Sequence, residues 1–236
     1  MSVIASRLSA LSRKTLISAG LLAFLALPLH ALEPPPASTW PDTLPSRLSA
    51  LAYLQALKLD LSRNPSATLT LDKWCAAHRL APEGSKIVAE RVPGVDKAAD
   101  SGVRKALKVT PDEPVRYRRV KLRCGDRVLS EADNWYVPAL LTPEMNQQLD
   151  STDTSFGRVV QPLAFRRQTL STTLLWEPVP AGWEMKKAAE PASDAPLPLP
   201  PFLLEQRAIL TLPDGTPFSV LVETYTNGVL AFPLAK

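Results

Sequence analysis

Apolar and polar positions alternate with helical spacing between residues 46 and 80. From Ser46 onward, apolar side chains recur every three or four residues, which predicts a helix that Ser46 caps and that Asn64-Pro65 ends. A second helix is predicted from Thr70, with Asp72 as its cap. The apolar face of the first helix contains Leu48, Leu51, Ala52, Leu54 and Leu57.

Farther along the chain, a period of two residues predicts strands that pair as hairpins. One hairpin spans Arg116 to Pro138 and turns at Gly125-Asp126, and another spans Gln206 to Tyr225 and turns at Asp214-Gly215. We expect both hairpins to lie in one antiparallel sheet. With the predicted helices, they indicate a single α+β domain over residues 46–236.

The first strand of the first hairpin is rich in arginine on both faces. Neither face is cleanly apolar, so either one arginine points toward a site or both faces are partly wet. One face carries Val115, Tyr117, Arg119, Lys121 and Arg123, and the other carries Arg116, Arg118, Val120, Leu122 and Cys124.

Residues 1–31 have a basic start, an apolar run and small residues that lead to Ala31, which predicts a cleaved secretory signal peptide. An uncleaved anchor is the alternative, although the apolar run is short for a membrane helix. We therefore expect an exported, periplasmic protein with no stable membrane insertion after cleavage. The net charge is +4, from 27 basic and 23 acidic residues, and three of the basic residues lie in this segment. The nearly neutral remainder gives no support to a nucleic-acid partner.

Proline-rich stretches surround or interrupt the predicted domain. Residues 32–45 are expected to form an extended linker, because proline fixes φ and lacks a backbone donor. Residues 177–201 are low in core-forming side chains and are expected to form a loop insertion.

The two cysteines and the lone domain histidine limit the possible chemistry. Cys75 and Cys124 either form a disulfide, which export would permit, or remain two half-buried thiols. Because the two cysteines lack the C-x-x-C spacing of structural zinc sites, such a site is not expected, and we predict no metal ligands. His78 is the only histidine after the signal segment, and it lacks the partners of a Ser-His-Asp triad.

Glu223 is conspicuous because it interrupts the apolar run of the last strand. Burial there would raise its affinity for a proton unless it is partnered. Arg119 could supply a cation at the other end of a small apolar pocket, a combination suited to an aromatic or cyclohexadiene carboxylate. The alternative is a structural ion pair, or two solvated charges. Arg166-Arg167 and Arg207 are further candidate cations.

Three segments resemble the chorismate pyruvate-lyase family and its relatives, the ligand-sensing domains of one class of bacterial transcription regulators. They are YRRVKLRCGDRVLSEADNWYVP, TSFGR and EQRAILTLPDGTPFSVLVET. The resemblance implies an antiparallel sheet with helices packed on one face and a ligand buried under flaps.

By this resemblance, Arg119 holds the ring carboxylate and Glu223 lies at the opposite end of the ligand. Phe156 and Gly157 fall where the family contacts the ligand through its backbone. The implied reaction removes pyruvate from chorismate to leave 4-hydroxybenzoate, with Arg119 and Glu223 as catalytic residues and without a metal or organic cofactor.

Export favours a second hypothesis, because chorismate is a cytoplasmic metabolite. The protein would then be a periplasmic, non-catalytic binding protein for a small aromatic carboxylate. A third hypothesis is an exported structural or interaction domain that has lost the pocket. The predicted enzyme class, if the protein is active, is a carbon–oxygen lyase.

Overall fold

The computed structural model describes residues 39–185 and 192–234, with an α+β architecture. Six strands form one antiparallel sheet in the order β2-β3-β4-β8-β7-β5. They are β2 (Val88–Arg91), β3 (Arg116–Cys124), β4 (Arg127–Tyr136), β5 (Arg166–Leu174), β7 (Phe202–Thr211) and β8 (Pro217–Thr226). Both predicted hairpins, β3–β4 and β7–β8, are confirmed, and β4 joins them by pairing with β8.

Five α-helices accompany the sheet in the described residues. They are α1 (Leu44–Arg63), α2 (Ala67–Ala77), α3 (Ser101–Leu107), α4 (Pro143–Ser151) and α5 (Phe156–Val159). The two predicted N-caps are wrong by a few residues. Thr43 caps α1 and Ser66 caps α2, because their side-chain oxygens accept from Ser46 N and Leu69 N. Asp72 instead accepts from the backbone of Ile87.

Two hydrophobic clusters fill the space between one face of the sheet and its helices. The first joins α1 and α2 to β3 and β4, and the second joins α4 and α5 to β7 and β8. We call the face of the sheet that these two clusters cover the inner face, and the opposite face the outer face. The prediction of helices on one face is correct for these four helices, whereas the short α3 packs on the outer face against Trp135, Ile209 and Val220.

The proline-rich segments are more ordered than predicted where the structure describes them. Trp40 lies inside the predicted linker, yet it is 1% exposed and its indole donates to the carbonyl of Phe232. Strand β1 (Pro41–Thr43) pairs with β6 (Ala192–Pro196), so the end of the linker and the insertion form a small second sheet. Burial of one large aromatic ring fixes a stretch that lacks the pattern of an element. The predicted signal peptide, residues 1–31, lies outside the described residues.

Cys75 and Cys124 form a disulfide, which decides the alternative that the sequence left open. Their Cα atoms are 6.5 Å apart, and the bond joins α2 to the end of β3. Because α2 packs over the inner face, this covalent link restrains the helix relative to the sheet.

Candidate ligand-binding pocket

A pocket on the inner face lies between the two hydrophobic clusters. Its floor is the sheet, and its roof is the first turn of α2 together with Phe156 and Gly157 of α5. The non-atom space within it, including part of the opening to solvent, is about 490 Å³. Most of its lining side chains are apolar and a few are polar, which is the usual composition of a small-molecule site.

Arg118 enters this pocket from β3. It is 8% exposed, and its Nη2 donates to the carbonyls of Thr152 and Thr154 at 3.5 and 3.2 Å. Its Nε and Nη1 are buried and have no hydrogen-bond partner among the described residues. Burial lowers the pKa of Arg118 from its ordinary value. The charges of Asp153 and Asp150 act in the opposite direction, but neither carboxylate accepts a hydrogen bond from this cation in the described residues.

Glu223 lies in the same pocket and is held by other side chains. Arg167 of β5 donates to Glu223 Oε2 and also to Gln206 Oε1, at 2.8 Å from the latter. Tyr225 donates its hydroxyl to the same Glu223 oxygen at 3.2 Å. The side chains of Arg167 and Glu223 are 4% and 5% exposed.

The two charges of this pair stabilise each other in a dry environment. Burial, the largest single influence, would lower the pKa of Arg167, but the charge of Glu223, the interaction with Tyr225 and the hydrogen bond to Glu223 together outweigh it and raise the pKa above its ordinary value. Burial, followed by the charge of Glu223, raises the pKa of Tyr225 well above the ordinary range of a phenol. Tyr225 therefore stays protonated and can keep donating to Glu223.

The prediction that Arg119 shares a pocket with Glu223 is wrong. Arg119 pairs in register with Asp133, one position beyond the Arg118–Asn134 pair, so it points to the outer face. There its Nη2 donates to Glu131 Oε2 at 2.7 Å, and its Nη1 to Asp133 Oδ1 at 3.4 Å. Successive side chains of a strand point to opposite faces, and this places the two neighbouring arginines in different environments.

Phe156 and Gly157 both line the pocket, at the predicted segment. Phe156 is buried, with its ring centroid 5.4 Å from that of Tyr136 and 6.3 Å from that of Phe218. Gly157 lies so close to α2 that a Cβ added there would stand 3.0 Å from Ser66 Oγ. Glycine at this position lets the two roof elements approach each other.

Arg118 and Asn134 were not predicted as site residues, and Arg167 was only a minor candidate. Arg118 shares its strand face with Val120 and Leu122. These apolar neighbours were the sequence signal that the side chain of Arg118 is buried. Asn134 and Arg167 could not be placed without the strand pairing, because no sequence pattern shows which strands border Glu223.

The described residues contain no group of three or more histidine, cysteine, aspartate or glutamate side chains arranged to hold a metal ion. In residues 39–185 and 192–234, we also find no helix with the length and apolarity needed to cross a bilayer.

Comparison with known proteins gives one clear relative. No known protein-family profile matches the chain. The uncharacterized protein y4mC of Sinorhizobium fredii (strain NBRC 101917 / NGR234) is 58% identical over 206 residues, which cover 87% of each chain. This chain belongs to the y4mC family.

Solved structures that align with this chain at low sequence identity include an effector domain and a possible transcriptional regulator. The effector domain of PhnF from Mycobacterium smegmatis aligns over 73% of this chain and 94% of that domain, with 14% identity and a TM-score of 0.46. A second PhnF structure from the same organism aligns over 83% of this chain and 92% of its own, with the same identity and TM-score. The possible transcriptional regulator YydK from Bacillus subtilis aligns over 65% of this chain and 63% of its own, with 14% identity and a TM-score of 0.39.

Proposed function

We propose that this protein binds a small monoanionic carboxylate with an aromatic or cyclohexadiene ring in the inner-face pocket, and that Arg118 holds the carboxylate. The observation that carries the proposal is the buried Arg118 guanidinium, whose Nε and Nη1 have no partner among the described residues. A ligand carboxylate would supply a hydrogen-bonded counter-charge and accept from one of these nitrogens, which lie on different edges of the guanidinium.

The charges of the pocket support a ligand with one negative charge. Among the described lining residues, the ionisable side chains are Arg118, Arg167 and Glu223, whose charges sum to +1. Arg167 and Glu223 neutralise each other. The rings of Phe156 and Phe165 line the same space and favour a flat apolar body.

The first test is calorimetric titration of the full chain with 4-hydroxybenzoate, together with the shift in melting temperature that binding produces. We expect saturable binding to the wild type and a rise in melting temperature with ligand concentration. An Arg118→Met variant that binds as well as the wild type would overturn the assignment of the anchor.

Elimination of pyruvate from chorismate is the second candidate, and the position of Glu223 in the pocket favours it. The reaction would break the ether C–O bond and leave 4-hydroxybenzoate, with Arg118 in the role first predicted for Arg119. We give binding priority because Glu223 Oε2 already accepts from Arg167 and Tyr225, which restricts its use in proton transfer.

Incubation of the full chain with chorismate separates the two candidates. Pyruvate, measured by its enzymatic reduction to lactate, would accumulate with a lyase and stay at the buffer level with a binding protein. Glu223→Gln is the control, because loss of pyruvate release in that variant ties the activity to this pocket.

We also propose that the protein works in the periplasm. The Cys75–Cys124 disulfide supports an oxidising compartment, and residues 1–31 have the pattern of a secretory signal. Cell fractionation with mass determination of the mature chain tests this, and a cytoplasmic protein that retains its first 31 residues would contradict it.

A further inference from the structure

Asn134 presents a fixed hydrogen-bond donor to the pocket. Its side chain lines the space and is 3% exposed. The buried hydroxyl of Ser219 donates to Asn134 Oδ1 at 2.6 Å, which sets the orientation of the amide. The amide nitrogen Nδ2 then has no partner among the described residues. A buried amide donor without a partner favours a ligand that supplies an acceptor.

Asn134 stands beside the anchor proposed for the carboxylate. Arg118 and Asn134 are directly opposite each other on β3 and β4 and point to the same face. Side chains at such positions have Cβ atoms about 4.5–5.5 Å apart. The free Nε and Nη1 of Arg118 lie on different edges of the guanidinium, so a carboxylate accepts from one of them, and Asn134 Nδ2 is available to an acceptor that the ligand carries beside the carboxylate.

We propose that Asn134 determines specificity and selects carboxylates that carry an uncharged oxygen on the neighbouring carbon. This inference rests on the proposed function. The class comprises ring acids with a hydroxyl ortho to the carboxyl, and 2-hydroxy or 2-oxo acids of similar size. The second acceptor is uncharged because the pocket has one net positive charge, which the carboxylate itself offsets.

An ortho-hydroxy acid suits this arrangement chemically. Its phenolic hydrogen can bond to its own carboxylate, so the phenolic oxygen keeps a free lone pair that can accept from Asn134 Nδ2. The para isomer has the same charge and atoms but places its hydroxyl at the far end of the ring. Benzoate, which lacks the hydroxyl, separates a contact of the ortho hydroxyl with Asn134 from any contact that the para hydroxyl makes at the far end of the pocket.

The test compares the affinities of 2-hydroxybenzoate, 4-hydroxybenzoate and benzoate for the full chain by calorimetric titration. We expect the ortho isomer to bind about tenfold more tightly than benzoate, the effect of one satisfied buried donor, and more tightly than the para isomer. If the acids bind with equal affinity, the assignment of Asn134 is overturned while the proposed function stands. If none binds, the proposed function falls as well.

Two variants test the residue itself. Asn134→Leu should bring the affinity ratio of ortho isomer to benzoate close to one, and Ser219→Ala should lower the ratio partly because the amide is released. Arg119→Met on the outer face is the control and should keep the wild-type ratio. If Asn134→Leu folds and keeps the wild-type ratio of affinities, Asn134 is not the specificity determinant. If Asn134→Leu does not fold, an unchanged ratio in Ser219→Ala leads to the same conclusion.

Discussion

Arg118 and Arg119 are consecutive residues of one strand, yet they occupy contrasting environments. Arg119 lies on the outer face with a side chain that is 34% exposed, and it pairs with Glu131 and Asp133. Arg118 lies on the inner face, where its Nη2 reaches two backbone carbonyls and no carboxylate of the described residues bonds to it.

The chain neutralises the charge of Arg119 with two carboxylates, whereas it offers Arg118 only backbone carbonyls as hydrogen-bond acceptors. A hydrogen bond to Glu131 is the main cause that raises the pKa of Arg119, whereas burial lowers that of Arg118. A buried charge without a counter-ion destabilises a fold. The inner face thus pairs one arginine, Arg167, with Glu223, whereas Arg118 has no hydrogen-bonded carboxylate among the described residues.

The largest expected effect is on stability, when the buried pair is broken. Arg167→Met leaves Glu223 buried without its main cation, and we expect a loss of about 3–5 kcal/mol in the free energy of unfolding. The matched change on the outer face, Glu131→Gln beside Arg119, should cost at most about 1 kcal/mol because that pair is partly solvated. Urea unfolding monitored by circular dichroism measures both.

The double variant Arg167→Met/Glu223→Gln sharpens this comparison. It removes both charges together, so it should be more stable than the sum of the two single losses predicts. Additive losses would mean that the two side chains do not stabilise each other, contrary to their contact.

The next effect concerns binding and compares the two arginines directly. Arg118→Met should weaken binding of an aromatic carboxylate by about 2–5 kcal/mol, the usual cost of removing one partner of a buried charge pair. Arg119→Met should change it by less than about 0.5 kcal/mol, since its side chain lies on the opposite face of the sheet and surface substitutions away from a site have small effects. Titration of both variants with 4-hydroxybenzoate is the measurement, and equal losses would show that the inner face is not the binding face.

The sequence predicted the alternation of the two arginines but not which one is buried. Val120, Leu122 and Cys124 share the face of Arg118, whereas Lys121 and Arg123 share that of Arg119, so hydrophobicity favoured Arg118 as the inner residue. The pairing of Arg119 with Glu223 was first argued from their charges, and the resemblance to the lyase family then also matched Arg119. Here a one-residue difference in alignment moves a side chain to the opposite face.

The two hairpins and Glu223 were predictable because their signals are local. The turns at Gly125-Asp126 and Asp214-Gly215 lie between alternating runs, and the acid interrupts an apolar strand. The partner of Glu223 was not predictable, since β5 reaches β7 across the long insertion at residues 177–201. Pairing over such a distance depends on packing and not on a local pattern.

A smaller effect is expected at the roof of the inner face. Gly157→Ala would place a Cβ 3.0 Å from Ser66 Oγ and displace the cap of α2, for a loss of about 1–2 kcal/mol in the free energy of unfolding. In a Ser66→Ala background the nearest atom to that Cβ would be the Cβ of residue 66, at 3.8 Å, so the same change should cost less. Thermal unfolding of the four combinations tests this, and an equal cost in both backgrounds would contradict a Ser66 contact.

The smallest expected effect is on the pH dependence of stability, and it arises from Tyr117 on the outer face. Burial, together with the hydrogen bond to Asp133 at 2.7 Å, raises the pKa of Tyr117 to about 12. An unfolded tyrosine loses its proton near pH 10, at about that pKa. Between these values the folded state binds more protons than the unfolded state, so stability falls as the pH rises.

Removal of this hydroxyl should therefore flatten the alkaline side of the stability curve. Because Tyr117 is only partly buried and solvent screens its contact with Asp133, wild-type protein should lose well under about 1 kcal/mol through it between pH 8 and pH 10.5, and Tyr117→Phe should lose correspondingly less over the same interval. Urea unfolding at a series of pH values is the measurement, and both cysteines are joined in the disulfide, so free thiols do not complicate it. An unchanged slope in the variant would mean that Tyr117 does not hold its proton through Asp133, and the outer network around Arg119 would then be weaker than its distances indicate.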